Sequence, residues 1–230
     1  MSAELDVLGV GRMAYGDALE LQRALARARI DKTLERDVLM LVEHPPVVTL
    51  GRSTQREHLL TPEAQLRARG IELFDIERGG DVTFHGPGQL VGYPIYDLAE
   101  HKKDLHHFLR QLEAALIRAL DHLGITGERR DTLTGVWVED RKIASIGIHV
   151  KKWVTWHGFA LNVLTDLSYF DLIVPCGIAG VQMTNVQREL GAQAPRDLWG
   201  LTCDYVTMEM TEVFGQRPQP IALKDVMARL

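Results

Sequence analysis

The segment VWVEDRKIASIGIHVKKWVTWHGFALNV, residues 136–163, contains three apolar runs separated by two short polar connections. The runs are Val136–Val138, Ile143–Val150 and Val154–Val163, and they contain many of the β-branched and aromatic residues that favour strands. The connections, Glu-Asp-Arg and Lys-Lys, are short and polar, as hairpin turns are. Because strands joined by such short turns pair antiparallel, the segment predicts a three-stranded antiparallel meander.

Further strands and helices are predicted on both sides of this meander. Strand patterns occupy Leu5–Val10, Val38–Val42, Val47–Leu50, Ile71–Ile76, Val82–Phe84 and Leu90–Tyr96. Helical patterns occupy Ala18–Ile30, Pro62–Gly70, Leu105–Leu123, Thr184–Leu190 and Leu198–Phe214.

This order of elements indicates an α+β fold, with a largely antiparallel or mixed β-sheet flanked by helices, which we expect on one side of the sheet. The length of 230 residues is compatible with one domain, and we expect residues 1–230 to form it. Residues from about 198 onward could form a small helical lobe.

The composition excludes several classes of protein. Apolar residues make up 46% and charged residues 25% of the chain, which is typical of globular proteins and not of disordered chains. The net charge of -5 disfavours generic binding to nucleic acid or to anionic membranes. With no basic-then-apolar leader and no apolar run of about 18 residues, we expect a cytoplasmic protein with two reduced cysteines.

The segment RGGDVTFHGPGQ, residues 78–89, is the first candidate for a functional site. It contains four glycines, which allow tight turns or a close approach of the backbone to a ligand. Hairpin turns alone would explain the glycines, but the Arg, Thr, His and Gln among them favour a binding surface. The segment has neither the P-loop spacing nor the dinucleotide spacing, so no nucleotide site is indicated.

Lys142 and Cys176 are the second and third candidates. Lys142 begins an apolar strand face, where it either extends to solvent or is partly desolvated and able to act as a base. Cys176 lies between a proline and a glycine, so a turn is expected to present it; the alternative is a buried packing residue.

A thiol nucleophile needs a neighbouring base or cation, and the residues alone leave four candidates open: Lys142, His85, His149 and His157. Those three histidines could in principle hold zinc, but no H-E-x-x-H or C-x-x-C pair supports such a site. Cys203 falls in a helical pattern and is expected to be a packing residue.

Together these segments resemble the lipoyl(octanoyl) transferases, acyltransferases of lipoate biosynthesis that are related to lipoate and biotin protein ligases. The resemblance covers roughly residues 5 to 215, and RGGDVTFHGPGQ is its most specific part. The matching stretches are residues 43–51, 78–94, 142–147, 158–162 and 175–177.

The resemblance implies a reaction in two steps. An octanoyl group passes from octanoyl-acyl carrier protein to Cys176 as a thioester. It then passes to a lysine ε-amine on a lipoyl domain of a 2-oxoacid dehydrogenase or on the glycine cleavage H protein. Lys142 is implied as the base, and backbone N–H groups at Cys176, Gly177 or near Gly147 are expected to stabilise the tetrahedral oxyanion.

The resemblance also implies an acyl tunnel, and it requires no cofactor and no metal. A monomer is expected. The implied tunnel residues are Arg78, Gly79, Gly80, Asp81, Val82, Thr83, Phe84, His85, Ser145, Ile146, Gly147, Gly158, Phe159 and Ala160.

Three alternatives remain open from the sequence. An ATP-dependent lipoate or biotin ligase of the same fold would form an adenylate and would need no cysteine nucleophile. A non-catalytic acyl-binding protein would use the cysteine for packing only. A Cys-His hydrolase would release free octanoate instead of acylating a protein lysine.

Overall fold

The structure is a computed structural model, and it describes residues 3–230. The strands are β1 (Glu4–Arg12), β2 (Asp37–Glu43), β3 (Val47–Leu50), β4 (Glu72–Asp75), β5 (Thr83–His85), β6 (Gln89–Ile95), β7 (Glu128–Arg130), β8 (Leu133–Val138), β9 (Arg141–Lys151), β10 (Val154–Asn162), β11 (Gln182–Met183) and β12 (Arg217–Pro220). The helices are α1 (Tyr15–Ile30), α2 (Glu63–Ala68), α3 (Leu105–His122), α4 (Val186–Leu190), α5 (Leu198–Phe214) and α6 (Leu223–Met227).

These strands form two sheets. The large sheet has the order β12-β1-β2-β6-β10-β9-β8-β7, with β11 paired to β9, and the small sheet has the order β4-β3-β5. The predicted meander β8-β9-β10 is confirmed as antiparallel. Pairing is parallel between β1 and β2 and between β1 and β12, so the large sheet is mixed. The α+β class is therefore confirmed.

Helices cover both faces of the large sheet, and the expectation that they lie on one side is wrong. Val38, Met40 and Val42 of β2 pack with α1, whereas Leu39 and Leu41 pack in the core that contains α3 and α5. The reason is visible in β2 itself, which is an uninterrupted apolar run. Such a run is typical of a strand that is buried on both faces.

The last third of the chain differs from the sequence prediction in detail. Helix α4 begins at Val186 because the Asn185 side chain caps it, accepting a hydrogen bond of 2.7 Å from the Arg188 N–H. Helix α5 is confirmed, and it packs on α3 within the same hydrophobic core as the sheet. Within residues 3–230, no helix is both long and apolar enough to cross a membrane.

The two sheets meet where the glycine-rich segment crosses β9. The Gly79 N–H donates to the Ile148 carbonyl at 3.0 Å, and the Arg78 guanidinium donates to the Thr49 carbonyl of β3 at 2.8 Å. The segment between β4 and β5 is thus attached to both sheets, and the site described below lies at this junction.

Candidate active site

Cys176 lies on a tight turn, Pro175–Gly177, and the residue before the turn, Val174, has an extended backbone. Its backbone is in the left-handed region with φ of 57°, a conformation that is uncommon for a residue other than glycine. The turn is fixed because the Cys176 N–H donates to the Val82 carbonyl at 2.9 Å and the Gly177 N–H donates to the Val174 carbonyl at 3.0 Å. These two N–H groups are therefore already used, which contradicts their expected role as oxyanion donors.

Lys142 lies directly against the thiol. Its Nζ is 3.4 Å from the Sγ of Cys176 and donates to the Thr134 carbonyl at 3.1 Å. The side chain is 2% exposed, and the Nζ lies 5.4 Å from the centre of the Trp137 ring. Within the described part of the chain, no carboxylate forms an ion pair with this amine, so its nearest charged or ionisable contact is the thiol.

Ser145 also reaches the thiol, with its Oγ 3.6 Å from the Sγ. In a regular strand, Lys142 and Ser145 would point to opposite faces. The register between β8 and β9 shifts here, since Trp137 pairs with Lys142 while Val136 pairs with Ala144. One extra residue in β9 forms a bulge, and the bulge brings both side chains to the cysteine.

Asp81 and His58 support the turn from another direction. The Nδ1 of His58 donates to the Oδ2 of Asp81 at 2.6 Å, and the His58 carbonyl accepts the Val174 N–H at 2.7 Å. The Asp81 carboxylate lies so close to Gly177 that a Cβ on Gly177 would be 2.5 Å from its Oδ2. His58 and Asp81 therefore fix the turn that contains Cys176.

A cavity of about 350 Å³ opens beside Cys176 and Lys142. Most of the residues that the resemblance assigns to an acyl tunnel line it. Those that do are Arg78, Gly79, Gly80, Asp81, Thr83, His85, Ser145, Ile146, Gly147, Gly158, Phe159 and Ala160.

Val82 and Phe84 do not line this cavity. Their side chains belong to the separate core around the small sheet, where Phe84 stacks on Tyr169 with ring centres 4.5 Å apart. The reason is the alternation of β5, which directs Thr83 and His85 to the cavity and Phe84 away from it. Val82 contributes through its backbone, because its carbonyl accepts the Cys176 N–H.

Glycine at position 147 is required by a close backbone contact. A Cβ there would lie 2.9 Å from the Gly79 carbonyl oxygen and 3.1 Å from the Arg78 Cδ. The absence of a side chain lets the glycine-rich segment lie flat across β9. Arg78 is buried beside it, and burial lowers the pKa of its guanidinium.

The three histidines that were open as the base face groups other than the thiol, and the Nε2 of His157 lies 3.9 Å from the Oε2 of Glu77. The Nδ1 of His85 bonds to the Oε1 of Gln89 at 2.7 Å, and burial lowers the pKa of His85 to about 3. The Nδ1 of His149 donates to the Glu77 carbonyl at 3.1 Å. Among residues 3–230, the side chains within hydrogen-bonding distance of the Cys176 Sγ are Lys142 and Ser145. The described residues contain no group of three potential metal ligands.

Cys203 lies in α5 and packs against the large core. Burial raises the pKa of its thiol to about 11, so the thiolate is rare near neutral pH. This environment agrees with the packing role expected from the helical pattern.

Sequence reasoning missed several residues of the cavity. Val91 pairs with Ala160 across β6 and β10, so strand alternation and pairing could have indicated Val91 and Tyr93 once the order of strands was known. Tyr15 and the loop 132–134 carry no such signal. The additional lining residues are Tyr15, Val91, Tyr93, Leu105, Leu109, Thr132, Leu133, Thr134, Ile148, His157 and Ile178.

Solved structures with the same fold include lipoate ligases. The chain superimposes on the crystal structure of lipoate-protein ligase A bound with ATP with a TM-score of 0.75 and 16% identity, covering 100% of this chain and 92% of the other. It superimposes on the bipartite lipoate protein ligase of Thermoplasma acidophilum with a TM-score of 0.74 and 18% identity, covering 99% and 91%. At these identities the likeness shows the fold alone.

Sequence comparison identifies the family. Residues 14–214 match the lipoyl protein ligase A/B catalytic domain. The chain is 55% identical to an octanoyltransferase of Solibacter usitatus over 74% of this chain and 76% of that protein. It is 46% identical to an octanoyltransferase of Gloeobacter violaceus over 95% and 94%. It spans 55% of the length of a longer octanoyltransferase of Myxococcus xanthus, to which it is 46% identical. The chain therefore belongs to the octanoyltransferase family of acyltransferases, within the lipoyl protein ligase A/B catalytic domains.

Proposed function

We propose that this protein transfers an octanoyl group from octanoyl-acyl carrier protein to a lysine ε-amine on a lipoyl domain, through a thioester on Cys176. The acceptors would be the lipoyl domains of 2-oxoacid dehydrogenases and the glycine cleavage H protein. The observation that carries the proposal is the 3.4 Å contact between the Cys176 Sγ and the Lys142 Nζ at the wall of a cavity. The single domain, the monomeric state and the cytoplasmic location remain expectations from the sequence.

In the first step, Lys142 takes the thiol proton and the Cys176 thiolate attacks the carbonyl carbon of the donor thioester. A C–S bond forms to Cys176, and the C–S bond to the carrier breaks. The leaving thiolate receives the proton back from Lys142. One thioester replaces another, so the step needs no external energy source.

In the second step, the amine of the acceptor lysine attacks the acyl-enzyme. Lys142 takes the proton that the amine loses and returns it to the Cys176 sulfur as the C–S bond breaks. The product is an amide, which is more stable than the thioester and pulls the sequence forward. Ser145 and the Lys142 ammonium are the donors next to the thiol that could stabilise the oxyanion, since the Cys176 and Gly177 N–H groups are already bonded.

The cavity supplies the binding energy for the chain. Burial of a methylene contributes about 0.8 kcal/mol, so the alkyl part of an octanoyl group could contribute several kcal/mol. Gly79, Gly80 and Gly147 bring backbone instead of side chains to the cavity wall and leave room for the chain.

Intact-mass measurement tests the proposal against its main alternative, an ATP-dependent ligase. After incubation with octanoyl-acyl carrier protein, we expect one octanoyl adduct on the wild type and on Cys203→Ala, and none on Cys176→Ala. When an acceptor domain is added afterwards, the enzyme should lose the octanoyl adduct and the acceptor domain should gain the same mass. Transfer that requires ATP and free octanoate, with no adduct on Cys176, would contradict the proposal. Release of free octanoate with no acylated acceptor would indicate a hydrolase.

A further inference from the structure

Glu113 is a buried carboxylate near the site, and the reaction steps described above do not use it. It lies on α3 and is 1% exposed. Its Oε2 forms ion pairs with the Arg110 Nη1 at 2.8 Å and with the Arg129 Nε at 3.3 Å. Its Oε1 accepts a hydrogen bond of 3.0 Å from the Gly135 N–H of β8. Because the two arginines already compensate the charge, the bond to Gly135 needs a separate explanation.

This bond leads to the Lys142 amine through one peptide group. The Gly135 N–H and the Thr134 carbonyl belong to the same planar, trans peptide unit, so they point in opposite directions. The carbonyl accepts a hydrogen bond of 3.1 Å from the Lys142 Nζ, and the same Nζ lies 3.4 Å from the Cys176 Sγ. Carboxylate, peptide, amine and thiol therefore form one continuous chain of contacts from α3 to Cys176.

The backbone at Gly135 is fitted to the lysine side chain. Its φ is 133°, a value that favours glycine, and a Cβ there would lie 2.5 Å from the Ala144 carbonyl oxygen and 2.7 Å from the Lys142 Cε. Glycine therefore lets β8 pass this close to the lysine. Because the peptide is planar, a rotation that broke the bond to Glu113 would also turn the Thr134 carbonyl away from the Nζ.

The direction of the amine matters because a neutral amine has a single lone pair. That lone pair must face the Sγ to accept the thiol proton, and an N–H held by the Thr134 carbonyl limits the orientations that the amine can adopt. A carboxylate bonded to the other end of the peptide polarises it and makes its carbonyl a stronger acceptor. The same hydrogen bond then also favours the ammonium that faces the thiolate.

We infer that Glu113 is a positioning residue for the base: through the Thr134–Gly135 peptide it directs the Lys142 amine towards Cys176. The inference rests on the proposed function and adds to it a residue outside the substrate site. Within the described residues, Glu113 is not part of the cavity lining, so its effect on transfer passes through Lys142.

Two substitutions separate this role from the ion pairs with the arginines. Glu113→Gln loses the charge but keeps an oxygen for the Gly135 N–H, whereas Glu113→Asp keeps the charge but ends one methylene short of the peptide. The readout is the rate at which iodoacetamide modifies Cys176 from about pH 6 to about pH 9. We expect Glu113→Asp to move the midpoint of this profile up by about one pH unit, which slows modification near neutral pH about 10-fold. Glu113→Gln should stay within about 3-fold of the wild type.

A double substitution shows whether Glu113 acts through the amine. In a Lys142→Ala background, Glu113→Asp should change the rate of Cys176 modification by less than about 2-fold, because the group that Glu113 positions is gone. The matched control is Glu209→Asp, which shortens another buried carboxylate that pairs with His122 of α3. This control should keep the profile of the wild type.

Three results would overturn the inference. They are an unchanged profile in Glu113→Asp, a Glu113→Gln variant that is slowed more than Glu113→Asp, and equal slowing by Glu113→Asp with and without Lys142. The second result would assign Glu113 to the ion pairs alone, and the third would indicate a general loss of structure. Alkylation needs no acyl donor, so a wild type that is alkylated as expected but transfers no octanoyl group would contradict the proposed function instead.

Discussion

At the scale of single residues, the account depends on the chemical difference between an amine and a guanidinium at position 142. Arg keeps the positive charge but does not lose a proton near neutral pH. Lys142→Arg should therefore lower kcat for transfer by about 10²–10⁴-fold, the usual contribution of a general base. The measurement is steady-state transfer with Lys151→Arg, an exposed position, as the matched control. Turnover of Lys142→Arg near that of the control would remove Lys142 from the role of base.

Asp81 is expected to act by positioning the cysteine turn. Asp81→Asn weakens the bond to His58 and the contact with Gly177, so the turn should hold Cys176 less firmly. We expect kcat to fall about 10-fold with little change in KM, because a small misplacement of the nucleophile affects reaction more than binding. His58→Gln should behave in the same way. A rise in KM alone would mean that Asp81 contacts the substrate instead.

The residues of the site could be predicted to different degrees. Cys176 and Lys142 were candidates from the residues themselves, but Lys142 was preferred as the base only through the resemblance, because histidine is the more usual base and the residues alone left four candidates. Ser145 was expected in the tunnel, but its contact with the thiol depends on a bulge in β9 that the sequence does not predict. His58 was missed because its link to Asp81 spans 23 residues and crosses between elements.

At the scale of elements, the contact between β9 and the glycine-rich segment is the most sensitive to substitution. Gly147→Ala would place a Cβ 2.9 Å from the Gly79 carbonyl, so the segment must move away from β9 and distort the cavity. We expect kcat/KM to fall at least about 10-fold, in the range of a misplaced binding group. Gly9→Ala in β1 is the matched control, because a Cβ there meets nothing within 4 Å. Equal activity of the two variants would show that the glycine-rich segment can shift away from β9 without distorting the cavity.

Local patterns predicted the meander and most helices, whereas pairings between distant segments could not be predicted. β1 pairs with β12 across more than 200 residues, and the short β12 with its two prolines carries no strand pattern. The helices were expected on one side because strands joined by short turns indicated an antiparallel α+β sheet and not a doubly wound parallel one. The uninterrupted apolar run of β2 already indicates cover on both faces.

At the scale of the whole molecule, buried histidines should make the fold sensitive to acid. Burial lowers the pKa of His44 to about 4 and that of His85 to about 3, both below the ordinary value of 6.5. Between these values and 6.5 the unfolded chain binds more protons than the folded one. Stability is therefore complete above about pH 6.5 and falls as the pH decreases, by about 1.4 kcal/mol per pH unit for each histidine.

Urea unfolding at pH 7 and pH 5 measures this effect. The free energy of unfolding should be lower at pH 5, and the difference should shrink in His44→Gln, which cannot take up the proton. Equal stability at the two pH values would mean that these side chains take up protons equally in the folded and the unfolded protein, so that burial does not lower their pKa values.

The central claim, that Lys142 exchanges a proton with Cys176, is tested most directly by alkylation of the thiol. Iodoacetamide reacts with the thiolate, so its rate at pH 7 reports how readily Cys176 loses its proton. We predict rapid modification of Cys176 in the wild type, modification slower by at least about 10-fold in Lys142→Ala, and almost none of Cys203 in either protein. Equal rates for Cys176 with and without the Lys142 amine would contradict the account.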